Sequence, residues 1–412
     1  MAAPSLTSDV ATPAAGDGLA KRNALVLACA QALGGANPAI VVSLGGLVGQ
    51  VLAENKELAT LPVSLTNLGL ALGTIPAAML MRRVGRRSGY IAGAGICVFA
   101  GCLAAFGIAS GSFLIFCLGT FISGFYGSFV QSYRFAATDA ASDAFKPRAI
   151  SWVMTGGLAA GIIGPQTVIW TRDLIPTAPF AGGFLGQASL ALLSLGVVSL
   201  LRTPPAGPAP KAGSAAAGGR PLKEIVSQPR FIVAVVAGLV SYGLMSFIMT
   251  AAPLAMIGCG HPVGTAALGI QWHILAMFGP SFFTGRLIGR FGKGTVTATG
   301  LLLIAVAAAI GLSGLTVAHF WGTLILLGIG WNFGFIGATA LVTDCYRPEE
   351  RAKVQAANDF LVFGSVAVAS FSSGTLLNSG GWESVNWLVF PPVIVALILL
   401  AWQKSRKVPV PV

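Results

Sequence analysis

AMLMRRVGRR at residues 78–87 and GRLIGRFGKG at residues 285–294 are the two stretches on which the reading of this chain turns. Each ends one apolar run and opens another, and each gathers basic side chains around a glycine, Gly85 or Gly292. Further on, Thr138-Asp139 precedes Pro147-Arg148-Ala149, and Thr343-Asp344 precedes Pro348 and Arg351-Ala352. Both matches sit at an offset of roughly 205 residues, the mark of an internal repeat. Between the copies runs TPPAGPAPKAGSAAAGGRPLKEIVSQPR, residues 203–230, too rich in Pro and Gly for a stable helix. It reads as a linker between two halves of nearly equal size.

The 412 residues are 55% hydrophobic and 9% charged, with mean hydropathy +0.81. Soluble chains carry about a quarter charged residues, so this one cannot clothe a water-facing surface and must face lipid. The 54 glycines suit close packing of membrane helices. Spans of about 20 apolar residues cross a bilayer. The chain offers twelve, near 24–51, 59–81, 88–109, 113–137, 149–171, 180–201, 231–257, 265–289, 295–315, 318–342, 353–377 and 384–402.

With the N-terminus cytoplasmic, all 25 basic residues fall on inner segments except Lys56 and Arg172 outside and Arg134 within the fourth span. So lopsided a distribution predicts both termini inside, in a multi-pass protein of the bacterial inner membrane. The net charge of +12 then reflects loops facing anionic lipid and implies no nucleic-acid partner. Residues 1–22 read as a disordered cytoplasmic tail without a cleavable signal, 23–202 and 231–403 as two six-helix bundles, and 404–412 as a second tail. The six cysteines form no CxxC pair, which argues against a disulfide framework or zinc knuckle.

Met245 and Met249 on the seventh span, and His273 and Met277 on the eighth, are two i, i+4 pairs, each on one helix face about 6 Å apart. The two spans form a hairpin turning near His261. Counting outward from it puts Met245 level with Met277 and Met249 level with His273. Soft thioether and imidazole donors select Cu(I) over Mg, Ca or Mn. Cys259, at the outer end of the seventh span, would be an accessory thiol. The plainer reading makes these methionines helix filler and His273 a core histidine.

Leu80, Arg83, Gly85, Arg86 and Arg87 match a Gly-x-Leu-x-Asp-Arg-x-Gly-Arg-Arg signature, and through it the whole chain resembles the major facilitator superfamily. The resemblance implies an all-α membrane protein, with twelve transmembrane helices in two pseudo-symmetric six-helix bundles working by alternating access. Arg82 stands where the signature has Asp, so the family's charged cytoplasmic latch does not carry over directly. Asp359, in the eleventh span, is the expected gate partner of Arg83 or Arg86 instead. MxxxM followed by HxxxM is similar to the copper importers of this superfamily that serve cbb3-type oxidase assembly. That implies copper as transported substrate, bound by Met245, Met249, His273 and Met277, with a periplasmic or cytoplasmic copper chaperone as partner and no resident cofactor.

Riboflavin transporters related to those importers share much of this pattern. Gln271 and Trp272 flank His273, and with Tyr242, Trp331 and Phe335 they would grip a flat organic ring. Gly156, Gly157, Gly161, Gly164 and Pro165 resemble part of a drug–proton antiporter motif, a third reading. Asn37, Gln131 and Asn332 fall on helices that line the cavity in this superfamily. Arg134 is costly in lipid and must face that cavity or pair with Asp139. No nucleophile–base set, nucleotide loop or HExxH motif supports an enzyme, and a receptor leaves the duplication unexplained.

Overall fold

A computed structural model describes residues 17–142, 145–202, 219–347 and 350–405. The N-terminal tail before Asp17, most of the linker with Lys211, Pro348, and the C-terminal tail with Arg406 and Lys407 lie outside the described residues. All regular structure among the described residues is helical, and nine stretches are long and apolar enough to cross a bilayer.

Two of these stretches contain two crossings each. Helix α3 (Leu61–Ala109) is broken at Gly85, where φ is 81°. A side chain there would be forced into the left-handed backbone that only glycine adopts freely. Thr66 and Leu70, before the break, meet Thr120 and Ser128 of α4 (Phe113–Ala136) in order, so this segment runs parallel to α4. After the break, Arg86 and Tyr90 meet Asp139 and Ser132 in the opposite order, so the chain has turned back. Helix α13 (Arg351–Trp387) breaks likewise at Gly381, with φ 71°, and α14 (Phe390–Ser405) completes the last crossing.

The first crossing is itself two pieces, α1 (Gly18–Gly34) and α2 (Asn37–Leu52), interrupted at Gly35-Ala36. Helices α5 (Lys146–Thr171) and α6 (Ala181–Ser199) close the first half. A short α7 (Leu222–Val226) leads into α8 (Pro229–Gly258). The eighth crossing pairs α9 (Val263–Phe278) with α10 (Ser281–Phe291), separated at Gly279-Pro280. Helix α11 (Lys293–Ser313) follows Gly292, whose φ of 86° repeats that of Gly85 in the other half. Helix α12 (Val317–Val342) is the tenth crossing. Twelve crossings in two six-helix halves result, with Asp17 and Ser405 at one end, called here the near end.

Hydrogen bonds between the halves, among the described residues, lie toward the far end. Asn67 donates to Ser370 at 3.0 Å, Thr60 to the Phe371 carbonyl at 3.2 Å, and Asn378 to the Lys56 carbonyl at 2.8 Å. Gln166 of α5 donates to Gln271 of α9 at 3.0 Å. A methyl group at Gly161 would sit 2.5 Å from Ile274 Cγ2, so α5 and α9 touch there almost backbone to side chain. Toward the near end, Ile75 and Met79 of α3, Phe282 and Phe283 of α10, and Phe360 of α13 are exposed. Among the described residues, the hydrogen bonds that join the halves thus gather toward the far end.

At the near end each half carries its own ion pair. Arg86 holds Asp139 with an Nη2–Oδ1 distance of 2.9 Å, and Lys293 holds Asp344 at 2.6 Å. These occupy matching positions of the repeat. Of the two partners expected for Asp359, Arg86 is engaged within its own half, and Asp359 accepts a hydrogen bond from Asn358 at 3.1 Å. Glu350, buried at the start of α13, accepts from Arg220 Nε at 3.0 Å and Nη2 at 2.9 Å, and from the backbone of Arg220 and Arg347.

Candidate substrate site between the two halves

Tyr242, Met245 and Met249 recur on α8 at spacings of three and four, so one face carries all three. Tyr242 is the hub of a ring cluster. Its centroid lies 5.3 Å from Trp331, 4.9 Å from Phe335 and 5.9 Å from Phe363. Trp331 stacks on Phe335 at 5.3 Å with 19° between planes, and Phe278 meets Trp331 edge-on at 6.0 Å. Helices α8, α9, α12 and α13 thus each supply a ring.

Tyr242, Phe278, Phe335 and Phe363 are half-buried, so the cluster is a wall with an open side. Arg134 of α4 belongs to the other half. Arg134 remains exposed, its guanidinium 4.9 Å from the Phe135 ring. The alternative pair with Asp139 is corrected, since Asp139 is held by Arg86.

The proposed soft-metal residues sit on α8 and α9. His273 is fully buried, and its Nδ1 lies 2.7 Å from the Leu324 carbonyl of α12. Its ring is tied to α12, while Nε2 has no hydrogen-bond partner. Met245 is buried in the apolar cluster of the second half, and Met277 packs against the same cluster. Met249 packs against apolar clusters of both halves. Cys259 is exposed at the far end, on a cavity of about 460 Å³ shared with Leu47, Gln50, Phe180, Leu254 and Leu377.

Two residues expected to line the cavity do not. Asn37 is buried and donates to the Ser123 carbonyl of α4 at 3.3 Å, inside the first half. Asn332 is fully buried. It donates to the Met277 carbonyl at 2.8 Å and to Ser281 at 2.7 Å, and accepts from Thr284. It bridges the break between α9 and α10 rather than facing solute. Asn332 satisfies backbone and side-chain groups at a helix break, where an unpaired group would be costly, whereas the buried Asn37 Oδ1 has no hydrogen-bond partner. Gln131 is exposed on α4, and Gln271 spans the seam through Gln166.

Two bundles of six helices, joined at one end and carrying a wall of aromatic rings in the second, define a membrane carrier. The chain belongs to the Major Facilitator Superfamily, whose profile matches residues 24–331 and 274–411. It is 64% identical over 381 residues to the riboflavin transporter RfnT of Brucella anthropi, covering 92% of this chain and 95% of that protein. The uncharacterized transporter YdeG of Bacillus subtilis is 30% identical, covering 98% and 96%. A crystal structure of the nucleoside transporter NupG, in a point-mutant form, superposes with TM-score 0.71 at 14% identity, covering 94% and 100%. The protein is a membrane-spanning secondary transporter of a small solute and not an enzyme. Among these relatives nothing supports copper or a copper chaperone. The relative with a named substrate favours the stated riboflavin alternative over copper import.

Proposed function

We propose that this protein carries riboflavin, or a closely similar flat heteroaromatic solute, across the bacterial inner membrane by alternating access. The observation that supports it most is the near full-length similarity to a riboflavin transporter, joined to the ring wall around Tyr242. Stacked and edge-on rings at roughly 4.5–7 Å hold a planar ligand by its faces. Sparse polar groups then fix its orientation. Arg134 and Asp359, one from each half, meet the ligand from the open side.

The near end is the cytoplasmic end, because the basic loops gather there. The halves then part toward the cytoplasm and close toward the periplasm. The two halves rock about a site that stays fixed. Inward transport delivers solute from the far-end cavity beside Cys259, past the Gln166–Gln271 contact, to the ring wall.

Uptake of radiolabelled riboflavin by a riboflavin-auxotrophic bacterium expressing the chain tests this reading. Accumulation well above vector-only cells, lost in Tyr242→Ala, is expected. Accumulation of radiolabelled copper with none of riboflavin would refute it. That second reading rests on His273, whose buried, unpaired Nε2 is held in the tautomer that leaves a lone pair free if Nδ1 donates to Leu324. His273→Ala separates the two, since it removes a metal ligand but no ring of the Tyr242 cluster.

A further inference from the structure

Three tryptophans of the second half direct their indole N–H to a partner. Trp321 donates to the Thr265 carbonyl at 3.1 Å, Trp382 to the Gly311 carbonyl at 3.0 Å, and Trp387 to Glu383 at 3.4 Å. Trp331 differs. It is only 7% exposed, yet its Nε1 has no hydrogen-bond partner. A buried donor without a partner costs about 1–3 kcal/mol, and a phenylalanine would fill much of the same space without that cost. Packing alone therefore does not account for an indole at this position.

The surroundings indicate what the donor serves. Trp331 stacks on Phe335 with 19° between planes and meets Tyr242 and Phe278 edge-on. Ser241, next to Tyr242 in sequence, is also fully buried with an unpartnered Oγ. It lies against Gly334, one turn along α12 from Trp331, where a methyl group would clash with that hydroxyl. Two unpaired polar groups thus border the wall on the α8–α12 side.

We propose that Trp331 is a specificity-determining residue: its Nε1, enclosed behind Tyr242 in this structure, is uncovered as a flat heteroaromatic ring seats against Tyr242 and donates to a carbonyl oxygen on that ring's edge. The assignment rests on the riboflavin reading and narrows it. The ligand class is a ring bearing a carbonyl acceptor in its plane, which a flavin has and a plain aromatic hydrocarbon lacks. Faces supply most of the affinity, and the indole N–H selects among rings of equal size. A site built to bond a polar substrate edge discriminates strongly against ligands without it.

The test is equilibrium binding of riboflavin to the purified, full-length protein in nanodiscs, read by quenching of flavin fluorescence. Trp331→Phe and Trp331→Ala are compared with wild type, with thermal stability measured alongside. Trp331→Phe is expected to weaken binding about tenfold, the ordinary worth of one hydrogen bond, with Tm unchanged or raised. Trp331→Ala loses the face as well and weakens binding further. Wild-type affinity in Trp331→Phe, or weakened binding accompanied by a lower Tm, overturns the assignment: the first makes the N–H idle, the second makes its role structural. Absence of riboflavin binding by wild type overturns the riboflavin reading itself and this assignment with it.

Discussion

Gln166 of α5 donates through Nε2 to Oε1 of Gln271 on α9, 3.0 Å away, and so joins the first half to the second. The bond sits near the contact between Gly161 and Ile274, where α5 and α9 approach closely. It closes when the far end closes. A half-buried hydrogen bond contributes about 0.5–1.5 kcal/mol, which shifts a two-state equilibrium by roughly 2- to 10-fold. Gln271→Ala is expected to raise the population open at the far end by that factor. Spin labels at Glu54→Cys and Glu383→Cys, with other cysteines removed, read it as a longer-distance component.

Asn332 offers the sharpest contrast between a lining residue and a structural one. Its side chain bonds Met277, Ser281 and Thr284 across the break between α9 and α10. Asn332→Ala leaves these buried groups short of a partner and is expected to cost about 2–3 kcal/mol of stability. Gln131→Ala, on an exposed site, is expected to change stability by less than about 0.5 kcal/mol. Thermal unfolding in nanodiscs checks both, and a harmless Asn332→Ala would contradict the bridging role.

Arg220 and Glu350 give a pH dependence whose sign is fixed. The hydrogen bond from the Arg220 guanidinium holds the Glu350 carboxyl well below the usual carboxylate range, against the opposing effect of burial. A carboxylate favoured in the folded protein stabilises it fully above its unfolded pKa, near 4.5, and loses that contribution as pH falls below it. Wild type is expected to lose several degrees of Tm between about pH 5 and pH 3 through this group. Glu350→Gln is expected to start lower at neutral pH and to show a shallower acid fall.

Arg86–Asp139 and Lys293–Asp344 are partly exposed at the near end. Exposed ion pairs are worth about 0–1 kcal/mol. Asp139→Asn and Asp344→Asn are each expected to change unfolding stability by no more than that, measured by thermal unfolding in nanodiscs. A drop of several kcal/mol in either would show that the pair is a structural anchor rather than a surface contact.

Much of the fold is legible in the sequence because lipid imposes a length on every span and the repeat supplies a second copy of each signal. Gly85 and Gly292, matched by sequence, share a positive φ. The breaks at Gly35-Ala36 and Gly279-Pro280 escape a reading by hydropathy, since both runs stay apolar through them, although Gly34-Gly35 and Gly279-Pro280 are breaker dipeptides. The site is harder to read. Tyr242, Trp331 and Phe335 stand out in the sequence as ring-gripping residues, and the structure brings them together. Asn37 and Asn332 mislead, because periodicity places a residue on a helix face without saying which neighbour that face meets. Counting depth along α8 and α9 sets the level of His273 but not its rotation, and its ring turns to Leu324. Asp139 and Asp344 are visible as a repeated pair. Their partners Arg86 and Lys293 become evident only once each half has folded.

The central claim is that a flat solute crosses the membrane at the ring wall on the seam. Riboflavin counterflow in proteoliposomes tests it most directly, comparing wild type, Tyr242→Phe and Tyr242→Ala. Entry of labelled riboflavin against trapped unlabelled riboflavin is predicted for wild type, near normal for Tyr242→Phe, and at least about tenfold slower at low substrate for Tyr242→Ala. Equal counterflow in all three proteins, or none in wild type, would contradict the account.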